Sequence, residues 1–169
     1  MYNLSEPCGP GEIDYFISHS WKDDAAQKYA QLESLAKRFQ EANGRECTFW
    51  FDKVCINQRD ISEDLKCLPI FVMACDRLLI LYGSTYLTRL WCIWELYVFF
   101  ATSVDSHRVQ LQPLGTLKAE DTKQELLGFD VQRARCYMPE DEAKLRSVIR
   151  AGGEERFNDT IRGLSTLVQ

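Results

Sequence analysis

DRLLILYGSTYLTRLWCIWELYVFFAT, residues 76–102, decides how the rest of the chain is read. Its apolar run Leu78 to Tyr82 is short enough for a buried strand and is stopped by Gly83-Ser84. An aromatic-rich segment follows, in which Leu90, Ile93, Trp94, Tyr97 and Val98 recur at three- and four-residue spacing, as on a helix. One carboxylate, Glu95, sits inside that apolar stretch, one turn beyond Trp91. A carboxylate left in apolar surroundings costs several kcal/mol unless it is paired, protonated or put to use. The rest of the chain has to explain why this one is tolerated.

Working outward, residues 1–12 read as a flexible arm containing Pro7, Gly9, Pro10 and Gly11, and 13–169 as a single domain. IDYFIS (13–18) reads as a short buried strand, and Ser20 with Asp23 three residues on resembles a helix start. Ala25, Tyr29, Leu32, Ala36 and Phe39 then mark one face of a helix over about 23–42, stopped by Asn43-Gly44. CTFWFD (47–52) is a second strand ending in Asp52. After the loop KVCINQRDI, a helix is expected over 62–74, with Pro69 awkwardly inside it. Residues 108–114 give a fourth strand, whose Pro113 suggests an edge, and 121–129 a helix. QRARCYM (132–138) reads as a fifth strand. The acidic start Pro139-Glu140-Asp141-Glu142 opens a final helical region, broken near Gly152-Gly153. Strand and helix thus alternate five times, which predicts an α/β domain with a central five-stranded parallel sheet flanked by helices. Ligands of such sheets bind outside the carboxyl ends of the strands, here at 18–22, 52–61 and 82–86.

Composition narrows the class. With 169 residues, 46% of them apolar, the chain is long enough for one sizeable core. The net charge of −5 and the lack of a long basic run argue against nucleic acid as the main partner. No apolar stretch has the length of a membrane helix, and MYNLSEPCGPGE has no signal-peptide core, so no membrane is expected as partner. The seven cysteines include no CxxC pair and only His19 and His107 could join them, so no metal site is expected. Reduced thiols in a cytoplasmic protein are the better reading.

Taken together, DYFISHSW (14–21), the FWFD strand with its loop, and Ser84-x-Tyr86 followed by WCIWEL (91–96) resemble a Toll/interleukin-1 receptor (TIR) domain. The block 91–96 is similar to the WCxxEL motif of plant TIR domains and of enzymatic animal and bacterial ones. The combination of SHSW, CINQ and RLWCIWEL looks most like protist and algal TIR-like domains, and CINQ is also similar to the fungal heterokaryon-incompatibility domains. The resemblance covers about residues 13–165. It implies a flavodoxin-like three-layer sandwich (the TIR fold), cleavage of the nicotinamide–ribose bond of NAD+ as the activity, and Glu95 as the required residue. It also implies NAD+ or NADP+ as substrate, no further cofactor, and self-association or binding to other TIR domains. Nicotinamide leaves from a cationic ring and needs no general acid, so one carboxylate beside an oxocarbenium-like ribosyl cation suffices where glycosidases use two.

Each candidate residue also has a plain structural reading. Glu95 could be a helix carboxylate paired with Arg77 or Arg89. Trp91, one turn earlier on the same face, could be core, or could lie by the ribose as the resemblance implies. Ser84 and Tyr86 could cap the third helix or meet substrate just past a strand end. Asp52 could begin a turn or line the pocket. His19 could be a satisfied structural histidine or a base. Cys92 lies beside Glu95 with no base to activate it and reads as packing. Where many enzymatic TIR domains carry an arginine after the first strand, this chain has His19-Ser20-Trp21. Contacts to phosphate or adenine would fall to Trp21 by stacking and Lys22 by charge. The loop KVCINQRDI lacks the proline and glycine of Toll-receptor adaptor loops. Three functions stand against one another: an NAD+ hydrolase or cyclase, a non-catalytic TIR interaction module in innate immunity or cell death, and a nucleic-acid-directed activity disfavoured by charge.

Overall fold

The computed structural model describes residues 5–56, 67–102 and 106–168. Strand β1 (Ile13–His19) is buried at every position, as a strand covered on both faces must be. It lies between β2 (Phe49–Trp50) and β3 (Cys75–Tyr82), parallel to both. β4 (Val109–Pro113) pairs in parallel with β3, giving the order β2-β1-β3-β4. Pro113 sits at the end of that edge strand, where a missing N–H is tolerated.

Side chains alternate between the two faces of a strand, and this sorts the core. Tyr15, Ile17, Leu79 and Leu81 face helix α1 (Ala25–Asn43), which contributes Leu35 with Leu32 and Phe39. Phe16, Leu78, Ile80 and Tyr82 join the larger core on the other face. There Phe16 stacks on Trp50 at 4.5 Å and Trp50 on Phe71 at 5.3 Å. This face is covered by α3 (Leu68–Ala74), α4 (Leu90–Thr102) and α7 (Glu154–Arg162), with a four-residue helix α2 (Asp52–Cys55) following β2. Helices α5 (Ala119–Leu127) and α6 (Pro139–Gly152) complete the order, which is the three-layer α/β sandwich expected.

Four sequence expectations change. The described sheet has four strands. The expected fifth, 132–138, is a 3-10 turn at Val131–Arg133 followed by a single parallel bridge between Arg89 and Arg135. Asp130 caps that turn by accepting from the Gln132 N–H, which commits the backbone to a turn. Helix α1 starts at Ala25, two residues later than Asp23, with Asp24 accepting from the Gln27 N–H as its cap. Its inward line is Lys28, Leu32, Leu35 and Phe39, while Tyr29 is 67% exposed. Lys28 turns inward because its ammonium donates to the Ser20 carbonyl at 2.8 Å. Pro69 lies in the first turn of α3, where it disturbs no helical hydrogen bond. The part of that helix expected over 62–66, and most of the loop KVCINQRDI, lie outside the described residues.

Helix α4 is apolar nearly all round, with Leu90, Cys92, Ile93, Leu96, Val98 and Phe99 buried. Such a helix belongs inside a domain, and this one packs on α3, α7 and β1. The other end of β1 is fixed by charge. Asp14 accepts from Arg45 Nη2 at 2.6 Å, Arg45 Nη1 at 2.8 Å and the Thr48 N–H at 2.9 Å, tying the segment before β2 to the sheet. The guanidinium holds the Asp14 carboxyl down to about 2, against an ordinary 3.8. A depressed carboxylate contributes stability that is complete above its unfolded value and is lost as pH falls through the folded one. Asp14→Asn is expected to lose on the order of 1–2 kcal/mol at neutral pH in urea unfolding, the gap closing as pH falls toward about 2. A gap that stays constant with pH would show that charge is not the source.

Candidate active site

At the carboxyl end of β1, alternation sends Ser18 toward α4 and His19 toward α1, so two polar groups form on either side of one strand end. On the α4 side, Ser18 Oγ donates to Glu95 Oε2 at 2.5 Å and lies 2.6 Å from Tyr86 Oη. Ser18, Tyr86 and Glu95 are all buried, Glu95 to 8% exposure. Burial pushes the Glu95 carboxyl well above the ordinary 4.5; the Ser18 hydrogen bond pulls it back and the Asp52 charge raises it further. Among the described residues Glu95 pairs with neither Arg77 nor Arg89: Arg77 reaches Tyr15 Oη instead, at 3.2 Å. The helix salt-bridge reading of Glu95 is therefore replaced by a buried acid held by a hydroxyl, its ionisation pushed up by burial.

On the α1 side, His19 Nε2 meets Asp52 Oδ1 at 3.1 Å, its ring stacks on Phe51 at 4.6 Å, and Lys28 Nζ faces Nδ1 at 3.5 Å. An ammonium can only donate, so Nδ1 is the acceptor and Nε2 carries the proton given to Asp52. Both ring nitrogens are engaged, which suits a positioned histidine better than a base. Asp52 also accepts from Trp21 Nε1 at 2.6 Å and from the Lys53 N–H at 2.6 Å, presenting the Trp21 ring at 54% exposure. Burial holds Lys28 below the usual lysine range, with the charges of Asp23 and Asp52 opposing the shift. The two groups meet where Cys92 Sγ donates to the His19 carbonyl at 3.2 Å; burial pushes that thiol well up, so it packs and does not attack.

The remaining candidates fall around this centre. Ser20 Oγ lies 2.7 Å from Thr85 Oγ1, and Asp23 Oδ1 accepts from the Thr85 N–H and hydroxyl, clamping the β1–α1 turn to the β3–α4 turn. Gly83 is required there: a Cβ on it would meet the Asp23 carboxyl at 2.3 Å. Ser84 is exposed on the rim, Tyr86 is buried in a 3-10 turn at Tyr86–Thr88, and neither caps α4. Trp91 is half-buried against the main core, where a packing role accounts for it. Sequence reading missed Ser18, Asp23, Lys28 and Thr85. Only Ser18 left a signal, since strand alternation from Phe16 points it at the helix that carries Glu95. No cluster of three metal-ligating side chains occurs among the described residues, and no described helix is long and apolar enough to cross a membrane.

Compared with solved structures, the chain is similar to the TIR domains of the activated Roq1 resistosome that directly recognises the pathogen effector XopQ. The TM-score is 0.54, over 92% of this chain and 85% of that one, at 10% identity. No family model and no curated protein matches the sequence. The chain has the fold of a TIR domain, with a four-stranded described sheet.

The raised acid has a measurable consequence for stability. A carboxyl whose folded value is raised contributes its full stability below the unfolded value, and loses it as pH rises through the folded one. Glu95→Gln is therefore expected to raise Tm at neutral pH, by about 2–4 °C for each kcal/mol recovered, with the gain vanishing as pH falls to 4.5. Thermal melts across that range check it, and a pH-independent Tm difference would contradict it.

Proposed function

We propose that the chain is a TIR-domain NAD+ nucleosidase that cleaves the nicotinamide–ribose bond, with Glu95 as its catalytic carboxylate. The observation that carries this reading is the state of Glu95. It is a buried acid on the first turns of α4, beside the carboxyl end of β1, at the WCxxEL position, raised by burial and bonded only to the Ser18 hydroxyl among the described residues. Strained, buried acids of this kind are the usual material of active sites.

The chemistry follows from charge. A cationic nicotinamide–ribosyl group next to Glu95 favours the ionised carboxyl, so the substrate itself offsets the effect of burial. The C1′–N bond breaks with its electron pair leaving on neutral nicotinamide, and positive charge moves onto the ribose. A carboxylate in a low-dielectric setting stabilises that charge far more than water would. Water adding at C1′ and losing a proton gives ADP-ribose; attack by another oxygen or nitrogen of the same molecule gives a cyclic variant. Trp21, Asp52 and Ser84 are assigned to the substrate-facing rim, with the exposed Trp21 ring, held by Asp52, as the surface for a base, and the buried His19 and Ser20 and the core-packed Trp91 support it from behind. NAD+, with NADP+ as the alternative, is substrate and not cofactor, and no other cofactor is invoked. Cytoplasmic action in immune or cell-death signalling, through self-association or other TIR domains, belongs to the same reading.

A second reading, a non-catalytic TIR–TIR module, draws on the resistosome setting of the structural neighbour. NAD+ turnover with products separated, for wild type and Glu95→Ala at low and high protein concentration, discriminates. The nucleosidase reading predicts nicotinamide release by wild type, a loss of at least about 100-fold in Glu95→Ala, and specific activity that rises with concentration. It also predicts a kcat/KM that falls as pH drops through a value above 4.5, since the free enzyme must ionise Glu95. Equal rates in both proteins would remove Glu95 from the chemistry; no turnover in either, with assembly retained, would favour the interaction module.

A further inference from the structure

Of the two readings open for Tyr86, helix cap or substrate contact, its place in the fold favours neither: it is fully buried and its hydroxyl points to Ser18, itself fully buried. Neither side chain can touch a ligand in this arrangement. Their hydrogen bonds have a fixed direction once Glu95 is ionised. A carboxylate only accepts, so the Ser18 proton is committed to Glu95 Oε2 at 2.5 Å. The Ser18 oxygen is then free to accept, and the Tyr86 proton goes to it at 2.6 Å in preference to the Cys92 carbonyl at 3.5 Å. Tyr86, Ser18 and Glu95 form a one-way chain of hydroxyl donors ending on the acid, and such chains strengthen each link by polarisation.

The geometry points to Ser18 and Tyr86 as positioning residues of the nucleosidase site: a relay of two buried hydroxyls that aims the Glu95 carboxylate and keeps its ionised form within reach in an apolar setting. This rests on Glu95 being the catalytic carboxylate, and adds to it the groups that make such a carboxylate usable. The surroundings leave the task to these hydroxyls. The titratable groups nearest Glu95 are Tyr86 from the turn before α4 and Cys92 from α4 itself, while the Asp52 charge reaches it across the strand from the first residue of α2. Asp52 opposes ionisation, while Tyr86 and Cys92 are held neutral by burial. On β1, His19 faces Asp52 and Lys28 on the other side of the strand. Helices α3, α6 and α7, which also pack on α4, turn Leu68, Val72, Leu145, Ile149, Phe157 and Ile161 inward. Within this described shell no cation is bonded to the acid; the relay supplies its donors.

The test separates the relay from the reaction. Glu95 is titrated by carboxyl 13C NMR in ligand-free protein, for wild type, Ser18→Ala, Ser18→Thr, Tyr86→Phe and the double variant Ser18→Ala/Tyr86→Phe. The double variant leaves no orphaned hydroxyl and guards against a single variant that folds poorly. NAD+ cleavage is followed against pH for the same set. The relay predicts that Ser18→Ala and the double variant move the Glu95 titration upward by about one to two pH units, the worth of a hydrogen bond to a charged group. Tyr86→Phe should move it the same way by a few tenths of a unit, and Ser18→Thr, which keeps the hydroxyl, should restore it. The acid limb of kcat/KM should shift in parallel. A Glu95 titration that stays put in Ser18→Ala and the double variant would overturn the relay, as would a shift that Ser18→Thr fails to reverse. Cleavage with unmoved acid limbs would overturn the relay and leave the nucleosidase standing. Shifted titrations without any NAD+ cleavage would keep the hydroxyl relay and remove the nucleosidase role.

Discussion

The hydrogen bond from Ser18 to Glu95 is the constraint on which the carboxyl edge of this sheet depends. It joins the end of the central strand to the strongly apolar helix α4, and among the described residues it is the one polar attachment of the carboxyl buried there. Without it the acid would be an unpaired polar group in the core, costing more than a typical buried hydrogen bond contributes. With it the acid is held, but burial still outweighs the single donor, so its ionisation is pushed up. A carboxyl in that state loses stability to the fold as pH rises and is ready to ionise when positive charge comes near it.

The parallel sheet explains why two different chemistries can sit a few ångströms apart. A strand buried on both faces can place polar side chains only near its two ends, as β1 does with Asp14 at one and Ser18 and His19 at the other. There β1 alternates Ser18 and His19 onto opposite faces. Ser18 meets Glu95 and Tyr86 in a neutral, dry group. His19 meets Asp52, Lys28 and the exposed Trp21 in a charged group nearer solvent. The Asp23–Thr85 clamp fixes the two turns beside them, and Gly83 is the one residue that leaves room for the Asp23 carboxyl. Strand topology, in short, sorts the acid from the rim that would grip a substrate.

Much of this was legible in the sequence where burial was forced. The apolar runs Tyr15–Ile17 and Leu78–Tyr82 and the Gly83-Ser84 stop announced central parallel strands, and the apolar helix with one acid announced Glu95 as the odd residue. What failed depended on groups that only the fold brings together. Residues 132–138 have strand-like spacing, yet Asp130 caps a turn and among the described residues only Arg135 forms a strand-type bridge, to Arg89. On the inward face of α1, Leu32 and Phe39 stand as expected, but Lys28 and Leu35 take the places expected of Tyr29 and Ala36, because a buried lysine is a poor prior and Lys28 turns in to reach the Ser20 carbonyl 2.8 Å away. Tyr86 looked like a ligand contact from its place past a strand end, and became a buried donor because Ser18 lay within reach of it.

The most direct test of the central claim, that Glu95 faces the cationic nicotinamide–ribosyl group, is proton release on binding. Calorimetry of a non-cleavable NAD+ analogue, in buffers of different ionisation enthalpy, reads it for wild type and Glu95→Gln from the ordinary glutamate range upward in pH. The account predicts that wild type releases up to one proton per ligand as the cation drives Glu95 to ionise, and that Glu95→Gln binds without that release. Binding with the same proton count in both proteins, or no binding by wild type, would contradict it.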